Sequence, residues 1–285
     1  MKGVTLIELV VTIALLGILA AVAALYIAPA LEAYFASQRR AGLADVTDTA
    51  LRRMTRDIRL ALPNSARSAS AGADRFLEIL LTKNGGRYRS ANDDNPATTE
   101  DPLDFGGDDG FDTLGILPSG ADQQVLVGDR VVIHNLGISG ANAYDTAAAP
   151  PNIAPITGFG AGALAAENRV TLPAGTQFAL ESPGRRFFVV AGPVSYACVG
   201  VGLAGGNGTG FLRRWSGYAI QAAQPTAVPG GPTTDAVLAD NVSACELHYT
   251  AFALVSRGLV AVRLAITRAG ETVTLYHEAH VNNLP

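Results

Sequence analysis

The chain is short of the residues that carry catalytic and metal chemistry. It has two cysteines, four histidines and one tryptophan in 285 residues, and 16% of its residues are charged. Neither cysteine stands in a CxxC or Cys/His metal spacing, which removes zinc-ribbon and thioredoxin-type readings. GxSxG, a phosphate-binding P-loop and a catalytic carboxylate pair are all missing. The net charge of −4 is too small for a nucleic-acid binder, and many of the arginines cluster on one predicted helix instead of forming a patch among aromatics. Cys198 and Cys245 both lie in the C-terminal half. If the body lies outside the cytoplasm they read as a disulfide, worth about 4 kcal/mol in the chain-entropy model; otherwise they are two unrelated buried thiols.

What the chain does have is a long apolar stretch. Leu9 to Ala28 form 20 residues without a charge, matching a hydrocarbon core of roughly 30 Å at 1.5 Å per residue. A secretory signal would be shorter, with a small-x-small site at its far end. Upstream, Glu8 sits inside the apolar run after Gly3-Val4-Thr5-Leu6-Ile7. A carboxylate near lipid needs a partner. Cleavage after Gly3 would create one, the cationic amine of Val4, on its own helix end or from a neighbouring subunit.

Gly3-Val4-Thr5-Leu6-Ile7-Glu8-Leu9 resembles the type IV prepilin cleavage and methylation motif, with Val in place of the usual Phe at the first mature position. The resemblance implies an inner-membrane prepilin peptidase that cuts after Gly3 and methylates the amine of Val4. It also implies that Glu8 guides subunit registration in a filament. The three-residue leader leaves Lys2 alone to hold orientation, or the true start lies upstream.

Beyond the membrane stretch, Leu31, Phe35, Leu43, Val46, Ala50, Met54, Ile58, Ala61 and Leu62 recur mostly at spacings of three and four, an amphipathic helix. Six arginines from Arg39 to Arg59 share the other faces with Asp45, Asp48 and Asp57, and read as a solvated face. Asp48 with Arg52 has the supportive direction for an ion pair; Arg53 with Asp57 has the weaker one. Pro29 should kink the rod, Gly42 weaken it and Pro63-Asn64-Ser65 end it. The organisation expected is a leader at 1–3, a membrane and filament-core helix at 4–30, its amphipathic continuation at 31–64, and a β-rich body at 65–285.

The body shows short β-type runs between Gly, Pro, Asn and Asp, predicting a largely antiparallel sheet. Strands are expected at Phe76 to Leu81, Val131 to Asn135, Phe187 to Val190, Ser195 to Cys198, Tyr218 to Ala222, Cys245 to Ala253, Leu259 to Ile266 and Thr272 to Val281. Arg268-Ala269-Gly270-Glu271 makes a hairpin turn, and Val273, Leu275, His277, Ala279 and Val281 form the inward row. Irregular segments are expected at about 84 to 130, 137 to 168, 199 to 211 and 223 to 241. Helix and sheet together predict an α+β, pilin-like fold.

Six short runs resemble minor pilins of the mannose-sensitive haemagglutinin (MSHA) pilus: Leu60 to Ser65, Gly85 to Arg89, Asp101 to Phe105, Phe111 to Gly115, Asn135 to Gly137 and His280 to Pro285.

Three constellations remain. Asp93, Asp94, Glu100, Asp101, Asp104, Asp108, Asp109 and Asp112 share 20 residues without a basic one. Asp104, Asp108, Asp109 and Asp112 are candidate Ca²⁺ ligands, although the spacing is not that of an EF-hand and a solvated acidic loop explains it as well. Gly200-Val201-Gly202-Leu203-Ala204-Gly205 spells GxGxxG, but glycines follow where a helix should begin, so it reads as a mobile loop. His277-Glu278-Ala279-His280 places its histidines three apart in a strand, on opposite faces, so zinc is not implied.

The expected function is therefore structural and non-enzymatic: a minor pilin of the MSHA kind. Its partners would be the prepilin peptidase, other pilin subunits and the inner membrane, with no nucleic acid. The alternatives are a minor pseudopilin of a type II secretion system and a membrane-anchored periplasmic enzyme or binding protein.

Overall fold

The computed structural model describes residues 3–92, 99–252 and 257–285. Lys2, Asp93, Asp94 and the predicted strand end at Ala253 lie outside them. One helix among the described residues, α1 (Leu6–Arg59), spans 54 residues and about 80 Å. Neither Pro29 nor Gly42 interrupts it. It stops three residues before the expected Pro63 end, with Leu60 as its C-cap.

Fourteen strands follow among the described residues: β1 (Arg67–Ala71), β2 (Asp74–Arg87), β3 (Asp108–Asp112), β4 (Arg130–Ile133), β5 (Ile153–Pro155), β6 (Gly158–Ala161) and β7 (Asn168–Thr176). Then come β8 (Arg186–Val199), β9 (Leu203–Ala204), β10 (Asn207–Gly208), β11 (Gly210–Ser216), β12 (Thr234–Phe252), β13 (Arg257–Arg268) and β14 (Glu271–Asn282). The main sheet runs β1-β2-β8-β11-β12-β13-β14, and a second sheet runs β3-β7-β6. Every pairing is antiparallel. The α+β expectation therefore holds: one long apolar helix packs on a largely antiparallel sheet domain.

β8 is the spine of the sheet. β2 pairs with it along its whole length, while its other edge carries β4 against residues 187–190 and β11 against residues 194–199. The sequence reading split this strand at Gly192-Pro193. Gly192, at φ 141°, instead absorbs the irregularity and lets one strand serve both partners.

α1 covers the β12–β14 end of the sheet. Leu51, Met54 and Ile58 have no exposed surface and pack among Tyr196, Leu247, Val260 and Leu264. Leu31 and Phe35 continue the predicted stripe but stay exposed, because burial of the helix begins only at Leu43; Val46, beyond it, is exposed as well. A second core around Tyr88, Phe111, Val170 and Phe187 joins the small sheet to the far end of β2 and β8.

Several expectations are corrected. Tyr218 to Ala222 is not a strand: β11 ends at Ser216, and Gly217 at φ 82° turns the chain away. Arg67 then holds the segment through the carbonyls of Gln221 and Ala222. The segments expected to be irregular contain β3, β5, β6, β9 and β10, and the last ends inside β12. β1, β7 and β11 went unread as strands. Ala269 and Gly270, at φ 51° and 80°, make the predicted hairpin, and β14 alternates inward and outward as expected.

Candidate processing and assembly site

Gly3 and Val4 lead into α1 as exposed, non-helical chain, and nothing lies within 4 Å of where a side chain on Gly3 would stand. The bond after Gly3 is thus open to an enzyme approaching from outside. Thr5 is the N-cap, at φ −78° and ψ 152°. The Glu8 backbone N–H donates to Thr5 Oγ1 at 3.3 Å, and the Thr5 N–H donates to Glu8 Oε2 at 3.5 Å. This reciprocal capping box satisfies two of the amides that every helix start leaves unpaired. Its signal, Thr-x-x-Glu before an apolar run, is present in the sequence at Thr5 and Glu8. In the single chain Glu8 therefore already has a local partner.

From Leu6 to Phe35 the large apolar side chains are exposed; Leu6 is 82% and Tyr26 74% accessible. The body contributes nothing to cover them. A stretch this long and apolar crosses a bilayer or packs against other helices, since no soluble monomer leaves so large an apolar area in water.

The lower half of α1 fixes how the rod leaves the body. Asp48 pairs with Arg52 at 2.6 Å on the surface, as the spacing predicted. Asp57, expected on the solvated face, turns inward: its Oδ2 accepts Tyr196 Oη–H at 2.7 Å and Arg214 Nε–H at 2.9 Å. Burial, and then Asp57, push the Tyr196 phenol well above its ordinary value. Burial opposes the charge of Arg214, but Asp57 outweighs it and raises the guanidinium.

Cys198 on β8 and Cys245 on β12 are joined, with Cα atoms 6.3 Å apart and a sequence separation of 47. The bond ties together two strands that otherwise meet only through β11.

The acidic candidates part company. Asp101, Asp108 and Asp109 gather with ligand atoms within 4.8 Å of one another, whereas Asp104 and Asp112 are not in that group. Asp104 accepts the Gly106 N–H, and Asp112, almost fully buried, accepts those of Asp101 and Ala163. Asp108 is held by the amides of Asp104, Asp109 and Gly110. Arg169, from β7, reaches into the group and binds both Asp101 and Asp109. The loop has no basic residue in sequence, but the fold brings one.

Two other motifs resolve into packing. The GxGxxG segment is a docked hairpin, not a mobile loop: Gly206 accepts the Gly270 N–H, and Gly208 lies so close to Asn241 that a side chain could not fit. His277 faces α1, 3.9 Å from Asp48, while His280 is exposed.

The six runs that resemble MSHA minor pilins form two clusters in space. Asn64, at φ 59°, donates to the carbonyls of Asn135 and Asn283, and Asn135 donates back to Pro63. At the far end, Leu103 bonds to Arg89, Arg89 to Asp112, and Leu114 to Arg87.

Residues 1–24 match the family of the prokaryotic N-terminal methylation motif. No curated protein and no solved structure matches the chain. The match implies processing by a prepilin peptidase and assembly with other pilins; with the exposed apolar helix that the motif heads, it supports a type IV pilin-like protein, a pilin or a pseudopilin.

Proposed function

We propose that this chain is a structural minor pilin of a type IV pilus of the MSHA kind. It enters the inner membrane through residues 4–30 with its body in the periplasm, loses residues 1–3 to prepilin peptidase, and is methylated on the amine of Val4. The helix then leaves the bilayer for a bundle of like helices, in which Glu8 meets the Val4 amine of a neighbour. The observation that carries this reading is the methylation motif at the head of a helix whose large apolar side chains from Leu6 to Phe35 are left uncovered by their own chain. The MSHA kind rests on the six short runs that resemble MSHA minor pilins in sequence.

Glu8 can change partners because the capping box is a weak, exposed arrangement. A neighbour's ammonium in a dry bundle offers it a stronger, charge-assisted bond. Mass spectrometry of protein from cells tests the scheme: the mature chain should begin at N-methylated Val4. Glu8→Ala should leave cleavage intact and remove the protein from sheared pili. An N-terminus that keeps Gly3, or normal incorporation of the Glu8→Ala variant, would defeat the proposal. Deleting the gene should reduce piliation; loss of type II secretion with pili unchanged would instead make it a pseudopilin.

A further inference from the structure

β14 closes the main sheet, and no strand among the described residues pairs with its outer edge. The two-residue turn at Ala269-Gly270 makes Arg268 and Glu271 a hydrogen-bonded pair, and the register then runs to Asn282 without a bulge. Thr272, Thr274, Tyr276, Glu278, His280 and Asn282 therefore turn both backbone N–H and C=O away from β13, along an edge of about 40 Å. All six residues are exposed, so these groups stand open to solvent. Natural edges of this length are blunted by lysine, proline, a bulge or a covering element. β14 has no lysine, proline or bulge, and α1 packs on its inner face, where Ala279 and Val281 join the core, and leaves the edge open.

Beside that edge, between α1 and β14, lies a cleft of about 500 Å³. Arg52, Arg56, Arg59 and Leu60 line its helix side, and His277 and Glu278 its strand side. The three arginines follow at spacings of four and three, which sets them in one row along the helix flank. Arg52 has Asp48, whereas Arg56 and Arg59 are exposed and bond to no described residue. The helix dipole accounts for cations in a last turn, but not for a bare strand edge next to them.

We infer that β14 is the docking edge for an extended segment of a partner protein, which adds to the sheet as a further antiparallel strand. Main-chain bonds to the six open residues would hold it, and every second side chain would face α1 and enter the cleft. The arginine row selects acidic residues at those positions. Carboxylates two residues apart on a strand are separated by about 7 Å, close to the rise of about 6 Å from Arg52 to Arg56 along the helix. A second copy of this chain is a poor occupant. Pairing β14 with its own twofold mate puts both helices on one face and turns the two arginine rows toward each other, with Glu278 the one carboxylate lining each cleft. The inference holds for a pilin and a pseudopilin alike.

The test titrates the detergent-solubilised full chain into a fluorescein-labelled peptide, Thr-Val-Thr-Glu-Thr-Glu-Thr-Val-Thr amide, followed by fluorescence anisotropy. Binding should saturate, and replacing both glutamates of the peptide with glutamine should weaken it at least tenfold. N-methylation of its third, fifth and seventh residues, threonines whose amides face β14, should abolish binding. N-methylation of its glutamates, whose amides point away, should leave binding within threefold. In the protein, Arg56→Gln with Arg59→Gln should weaken binding at least tenfold, and Arg53→Gln, outside this cleft, less than twofold. Trp215 fluorescence reports that each variant is folded. Absence of saturation, or equal binding of the glutamine peptide or of the peptide methylated at threonine, overturns the inference. A dimer of the unliganded chain that the peptide dissociates would overturn it too, since a second copy would then be the occupant.

Discussion

Replacing Asp57 tests whether the inward turn of α1 holds the rod to the body. Asp57 and Arg214 have side chains only 8% and 14% exposed, and the Tyr196 hydroxyl that shares the carboxylate belongs to a fully buried ring. Asp57→Ala strands a guanidinium and a phenol in the core, and removing one partner of a buried pair costs about 3–5 kcal/mol. Asp57→Asn keeps an acceptor for Tyr196 but not the charge, and should cost about 1.5–3 kcal/mol, the range for a bond to a charged group. Asp48→Ala, which breaks the exposed pair with Arg52, should cost no more than about 0.5 kcal/mol. The assay is urea unfolding followed by Trp215 fluorescence. Trp215 is the only tryptophan, is buried, and follows Arg214 on β11, so the signal reports the body and not the apolar helix. Asp57→Ala with Arg214→Met should regain most of the loss, since an apolar replacement leaves no buried charge behind. Equal losses from Asp57→Ala and Asp48→Ala would refute the reasoning.

Three further outcomes follow from the geometry. Cys198→Ser with Cys245→Ser frees a loop of 47 residues and should lower stability by about 4 kcal/mol, read as a drop in urea midpoint; an unchanged midpoint would show that the bond constrains nothing. Burial raises the Glu78 carboxyl above its ordinary 4.5, against the pull of Arg67, so the folded state holds that proton more tightly and stability falls as pH climbs through the raised value. The midpoint of wild type relative to that of Glu78→Gln should therefore fall as pH rises above 4.5; a constant difference would exclude Glu78 as its source. Millimolar Ca²⁺ should leave the wild-type melting temperature unchanged, because Arg169 already occupies Asp101 and Asp109; a rise abolished by Asp108→Asn and Asp109→Asn would show that the cation displaces the guanidinium.

The rod and the final hairpin are legible in the sequence because each has one dominant local signal. Twenty uncharged residues admit few structures, and Ala269-Gly270 between alternating runs specifies a tight turn. The spine strand was harder, since Gly192-Pro193 is a breaker pair by local rules and only its neighbours keep it extended. β7 and β11 went unread for a related reason. Their residues, Asn168 to Thr176 and Gly210 to Ser216, mix glycine and arginine with apolar positions, and partners distant in sequence make them strands. The processing residues are readable as a motif, and the Thr5–Glu8 spacing inside it also carries the capping-box signal. Asp57 and Arg169 could not have been placed from sequence. Each is a charge whose partners lie on strands remote in the chain, Arg214 for one and Asp101 and Asp109 for the other.

The undivided length of α1 has a mechanical consequence. Leu51, Met54 and Ile58 project from the same continuous helix that bears the exposed stretch, so tension applied to the stem arrives at the sheet as shear on all three together. They cannot be peeled away one after another, as they could be if a hinge divided the helix. The covalent tie between β8 and β12 lies in the layer that receives this load, and it limits how far those strands can part.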